Sequence, residues 1–162
     1  MLSQSARATT AEEARFRVDY PNSAPRRIKV IALDRPAEAV VCRLARGSWA
    51  AASFMTLMRG EAAPTDWLGN LAGDALNLLE QISAADAVVT VSTAGESAED
   101  VAIIAEVCHS RRIMLTALVI DPSALPEAQL LRTMAPLRAH ASMLVVAKGE
   151  EYVDAMLSAL RA

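Results

Sequence analysis

The chain predicts an α/β domain, a mostly parallel sheet covered by helices on both faces. Three observations point there. Short apolar, β-branched runs recur along the sequence, as strands buried on both faces require. Stretches with apolar residues at helical spacing alternate with those runs. Proline, glycine and aspartate punctuate most of the joins. Together they give about five strands in a three-layer αβα sandwich.

The elements follow in order. Residues 1–25 read as a flexible arm and residues 26–162 as one α/β domain. Within the arm, Ala14 to Tyr20 alternates: Phe16, Val18 and Tyr20 fall on one side and Arg15, Arg17 and Asp19 on the other. That is the pattern of a half-buried edge strand, or of an arm packing on a second subunit. Arg27 to Leu33 is the first core strand, and Asp34-Arg35-Pro36 turns into a helix over Ala37 to Arg46, with Val40, Val41 and Leu44 inward. Ala51 to Met58 is the second strand. A long helix is expected next, capped by Thr65 or Asp66, with Leu68, Leu71, Ala75, Leu78, Leu79 and Ile82 on its apolar face. Gly69 and Gly73 weaken its first turns.

The chain is organised around Ala85 to Pro122. Ala87 to Val91 is a strand, Ser92 to Ser97 a polar loop, and Val101, Ile104, Ala105 and Cys108 mark a helix closed by Arg111 and Arg112. Ser97 is placed to cap that helix, with Asp100 three residues on. Ile113 to Ile120 is the next strand, completing a βαβ unit. Pro126 to Arg138 forms a helix, Ser142 to Ala147 the fifth core strand, and Val153, Met156, Leu157 and Leu160 the stripe of a last helix. Strands alternating with helices imply right-handed crossovers and a Rossmann- or flavodoxin-like order.

Composition narrows the function classes. The net charge of −3 and the aromatic share of 4 % argue against a nucleic-acid surface. The charge is uneven: residues 1–27 carry five arginines against three acids, a basic arm on an acidic domain. No apolar run reaches the length of a membrane span, and the first fifteen residues lack a signal-peptide core, so a cytoplasmic location is expected. Cys42 and Cys108 lack metal-ligand spacing and read as small core residues. No metal site and no cofactor are expected.

The Ser92–Ser97 loop is the strongest candidate site, since loops at the carboxyl edge of such sheets receive ligands. Ser92, Thr93, Gly95 and Ser97 at a helix start suit an anion such as a phosphosugar or nucleotide, and Glu96 would be the acid or base of an enzyme. An ordinary strand-to-helix connection explains the same residues. The turn after the first strand has no glycine; Asp34 and Glu38 repel phosphate there while Arg35 attracts it. Asp34 equally serves as a helix cap. Asp121 is placed to face the same crevice, or simply to make a turn with Pro122 and Ser123. No triad, carboxylate dyad or metal cluster is visible.

Two resemblances add to this. Ile28-Lys29-Val30-Ile31, Ala39 to Leu44, Ala52 to Thr56, Ala85 to Val89, Ile103 to Val107 and Leu115 to Pro122 resemble, in order, segments of the nucleotide-binding domain of bacterial tubulin-like cell-division GTPases (FtsZ). The family's glycine signature would fall near Ala94-Gly95-Glu96-Ser97-Ala98, which keeps one glycine, and its first glycine loop is absent. The resemblance therefore implies a degenerate relative without GTPase activity. Val91 to Glu99 is similar to the serine-glycine loop of sugar isomerase (SIS) domains, with Ala94 at a family serine and Ser97 at the usual threonine. That similarity implies a sugar-phosphate binder or aldose–ketose isomerase. The first expectation is a non-catalytic binding or regulatory protein, self-associating as a homo-oligomer; the alternative is the sugar-phosphate reading.

Overall fold

The computed structural model describes residues 25–58, 67–160 and 162. The expected strand over Ala14 to Tyr20 and the helix cap at Thr65 or Asp66 lie outside the described residues.

Twelve elements follow one another: β1 (Ile28–Ala32), α1 (Arg35–Leu44), β2 (Ser53–Leu57), β3 (Leu68–Asn70), β4 (Ala75–Leu76), α2 (Leu78–Ser83), β5 (Ala87–Thr93), α3 (Val101–Arg111), β6 (Met114–Ile120), α4 (Glu127–His140), β7 (Met143–Ala147) and α5 (Glu150–Ala159). They form one seven-stranded sheet in the order β4-β3-β2-β1-β5-β6-β7. The five strands from β2 to β7 in that order are parallel to their neighbours. The remaining two make an antiparallel extension beyond β2.

Alternation along the strands divides the core. Ile28, Val30 and Ala32 of β1 pack with Val89 and Val91 of β5, Leu118 of β6, Val40, Val41 and Leu44 of α1, and Val153 and Leu157 of α5. Ile31 and Leu33 face the other way, with Val88, Leu115 and Val119, onto α2, α3 and α4. Helices thus cover both faces, and the α/β expectation holds. Every apolar position assigned inward in α1 and α3 is buried. Among the described residues, no helix is long and apolar enough to cross a membrane.

The strand count is corrected from five to seven. The long helix expected up to Ile82 is instead the β3–β4 hairpin followed by the short α2. Local hydrogen bonding decides this. The Asn70 side-chain oxygen accepts from the amides of Ala72 (3.0 Å) and Asp74 (2.9 Å), and Gly73 takes φ +91°, a left-handed conformation that ends a helix. Asn77, not a residue before Leu68, caps the helix that remains, accepting from the Glu80 amide. A second correction concerns α3. It begins at Val101 with Asp100 in the cap position, so Ser97 lies outside it. Cys42 is only partly buried, against the expected core position, while Cys108 is buried.

Candidate functional site

From β1 the chain crosses to β2 on one side, and from β5 it crosses to β6 on the other. The carboxyl ends of β1 and β5 therefore part around a crevice, where open α/β sheets bind ligands. A cavity of about 520 Å³ lies there. Its polar lining is Asp34, Arg35, Glu38, Thr56 and Glu96.

Asp34 builds the floor. It is the N-cap of α1, and its Oδ1 accepts from the Ala37 amide at 2.8 Å. Its Oδ2 accepts from the Thr93 amide at 2.7 Å. The Leu33 amide donates to the Val91 carbonyl alongside, at 2.9 Å. One carboxylate thus joins the end of β1, the start of α1 and the end of β5. Both of its oxygens are engaged by backbone, which makes Asp34 a positioning residue. One turn into α1, Glu38 projects at the mouth beside exposed Arg35.

The loop after β5 is closed on itself. Gly95 takes φ +91° and its amide donates to Thr133 Oγ1 of α4 at 2.9 Å; Thr133 in turn donates to the Glu96 carbonyl at 2.8 Å. Thr133 is fully buried, so this contact pins the loop onto α4. The Ala94 amide donates to the Ile120 carbonyl and the Glu96 amide to the Thr93 carbonyl. The first amides of α3, those of Val101, Ala102 and Ile103, bond to the carbonyls of Ala98, Glu99 and Asp100. A phosphate cradle needs such amides free and converging; here they are committed inside the fold.

The structure brings Asp34, Arg35 and Glu96 together. Ser92 is fully buried on the face of β5 that carries Val88, toward α3, and does not line the crevice. Its hydroxyl and that of Thr90, two residues earlier, have no hydrogen-bond partner among the described residues. Thr93 contributes its backbone, and Ser97 is exposed. Asp121 is buried beyond β6, where Oδ1 accepts from the Leu125 amide at 3.0 Å and organises the turn into α4. Two lining residues were not singled out in the sequence as ligand groups. Glu38 lies one helical turn from Asp34, a signal that was available. Thr56 lies within β2, one residue before its end, where no local pattern marks it. Thr133 is far from the loop it holds, and no local pattern marks it.

The electrostatics are simple. Three carboxylates and one guanidinium line the crevice, an acidic balance. Among the described residues, no group of histidine, cysteine and carboxylate side chains is placed to hold a metal ion. Neither cysteine and neither histidine lines the crevice. Burial pushes the Cys108 thiol up to about 12, so it is no nucleophile near neutrality. Away from the site, Lys29 reaches Ser53 Oγ and Gln81 Oε1, both at 3.2 Å, and burial lowers its pKa, with Arg27 adding to the effect.

No family model matches the chain, and no curated protein matches it significantly.

Proposed function

We propose that this is a non-catalytic binding or regulatory protein on a doubly wound scaffold, and that the crevice between β1 and β5 takes a small polar ligand. Numbered among themselves, the five parallel strands run 2-1-3-4-5, the flavodoxin-like order, which supports a ligand crevice between the first and third of them. The observation that carries the reading is Asp34: both oxygens of the carboxylate at the turn after β1 accept from backbone, from the Ala37 and Thr93 amides. What remains at the mouth is Arg35, Glu38, Thr56 and Glu96, a set that orients hydroxyl or amino groups and contains no nucleophile with its base. On this reading the tubulin-like order of segments is a scaffold whose glycine turns have been replaced. The amides of Thr93 to Glu96 and of Val101 to Ile103 are already committed, and the lining is acidic in balance, which favours an uncharged or cationic ligand. Self-association is not required by it, because that expectation rested on Ala14 to Tyr20.

Thermal denaturation of the purified protein tests the proposal, since a ligand that binds only the native state raises the Tm. A panel of polyols, amines, phosphosugars, nucleotides and inorganic phosphate serves as probe. A rise with polyols or amines, lost in Glu38→Gln/Glu96→Gln, is the expected outcome. A rise confined to phosphosugars would instead favour the sugar-phosphate reading, with Ser97 and Arg35 as its contacts. A rise confined to nucleotides would revive a tubulin-like site.

A further inference from the structure

Lys29 is the one charged residue of an otherwise apolar strand, Ile28-Lys29-Val30-Ile31-Ala32. It falls on the same face of β1 as Ile31, with Ser53 as its register partner on β2. The helix α2 brings Gln81 to the same place. Lys29 Nζ donates to Ser53 Oγ and to Gln81 Oε1, each at 3.2 Å. All three residues are partly buried.

Both partners of this ammonium group are neutral, whereas a lysine taken out of water ordinarily meets a carboxylate. Asp86, the acid just before β5, is held by Arg27 instead. Its Oδ1 accepts from Arg27 Nη2 at 2.8 Å, and its Oδ2 from the Arg27 amide at 2.8 Å and Nε at 3.3 Å. Among the described residues, no carboxylate forms an ion pair with Lys29. Burial first, and the Arg27 charge second, lower its pKa and so favour the free amine. The Gln81 side-chain oxygen can only accept, so it holds one N–H of Lys29 in either protonation state. A free amine held there can turn its lone pair to the Ser53 hydroxyl. A hydroxyl, a base within hydrogen-bond reach and a third group orienting the base are the parts of an activated nucleophile.

We propose that Ser53 is a covalent acylation site, with Lys29 as its base and Gln81 as the positioning residue. The reagent it takes is an activated acyl donor, of the thioester or acyl phosphate class. In the step, Ser53 Oγ bonds to the acyl carbon and the bond from that carbon to the leaving group breaks. Lys29 takes the hydroxyl proton and passes it to the leaving group; nothing is oxidised or reduced. The product is one ester per chain, a modification of the protein and not a turnover. The site lies at the amino end of β1 and β2, roughly 13 Å along β1 from the crevice at Leu33. It therefore stands apart from the crevice, and neither reading depends on the other.

Labelling of the full chain with p-nitrophenyl acetate, quenched in acid and read by peptide mass spectrometry, tests this. In the wild type, acetyl accumulates on Ser53, faster as rising pH takes the proton from Lys29. Lys29→Arg keeps the positive charge and the donors but cannot act as a base, so the Ser53 rate falls about a hundredfold. Gln81→Glu, a change on the helix alone, gives Lys29 a carboxylate partner, favours the ammonium form and also slows the reaction. Circular dichroism and the Tm show that each variant is folded. A wild-type chain with no acetyl on Ser53 would overturn the proposal, as would acetyl on Lys29 in its place. A Ser53 rate that neither Lys29→Arg nor Gln81→Glu lowers would also overturn it.

Discussion

Asp34 shows how one side chain can be both a site marker and a structural joint. Its cap bond to Ala37 contributes about 1 kcal/mol by the usual value for an N-cap, and the bond from Thr93 to a charged acceptor about 1.5–3 kcal/mol. Asp34→Ala is therefore expected to lower unfolding free energy by roughly 2–4 kcal/mol in urea titrations. Asp34→Asn keeps one acceptor oxygen and sets an NH2 group against the other amide, so its loss should be similar or only modestly smaller. An alanine variant as stable as the wild type would remove Asp34 from its joining role. The capping half of this was legible in the sequence, because aspartate before Arg35-Pro36 is a local signal. The bond to Thr93 was not, because it joins residues that only the β1–β5 pairing brings together. The cysteines give a second residue-scale prediction. Burial raises Cys108 to about 12, so at pH 8 only about one part in ten thousand is thiolate, while Cys42 is partly exposed. A thiol reagent at pH 8 should modify one cysteine in the native protein and two in denaturant. Native modification of both at comparable rates would contradict the buried position of Cys108.

The β3–β4 hairpin is the element that the sequence concealed. Leu68, Leu71, Ala75, Leu78, Leu79 and Ile82 fit a helical stripe, yet Leu68 and Leu76 stand opposite one another on paired strands. Periodicity was satisfied by coincidence, and tight-turn chemistry prevailed over it. The decisive residues were Asn70, whose side chain bonds two amides, and Gly73, held at φ +91°. A methyl group at Gly73 meets no atom within 4 Å, so any cost of Gly73→Ala is backbone strain alone. That strain is expected to be about 1–2 kcal/mol, and Gly73→Asn should cost less, since asparagine tolerates the left-handed region. Chemical denaturation of the two variants checks this order; equal stability of both with the wild type would mean that the turn does not need its positive φ. Gly95 shares the conformation, but there a methyl group meets the end of the Leu125 side chain at 3.1 Å, a flexible neighbour. The parallel strands were legible for the opposite reason. A strand buried on both faces has little freedom in composition, so β1, β5 and β6 announce themselves as apolar runs rich in β-branched residues.

At the scale of the whole molecule, strand order was beyond periodicity, which identifies strands but not their neighbours. The order nonetheless decides where the crevice falls, because it sets β1 beside β5 and sends their connections apart. It also grades stability across the sheet. β5 lies between β1 and β6, pairs along its whole length with β6, and is buried at every position from Val88 to Ser92. The hairpin lies at the far edge, with three residues in β3 and two in β4, of which Ala75 is exposed. Opening it exposes Leu68 and Leu76 at the margin of one core cluster, whereas opening β5 dismantles both clusters. Native-state hydrogen exchange should therefore show β5 and β6 amides exchanging only through global unfolding. The β3–β4 amides should exchange through a smaller opening, at a free energy lower by several kcal/mol and with weak dependence on denaturant. If the hairpin amides proved as slow and as denaturant-dependent as those of β5, the antiparallel extension would be part of the cooperative core. The rim of the crevice next to Thr56 would then be as rigid as its floor at Asp34. The expected gradient gives that rim a fixed wall at Asp34 and Thr93 and a yielding one at β2 and β3, so a ligand seated there should slow hairpin exchange before it affects β5.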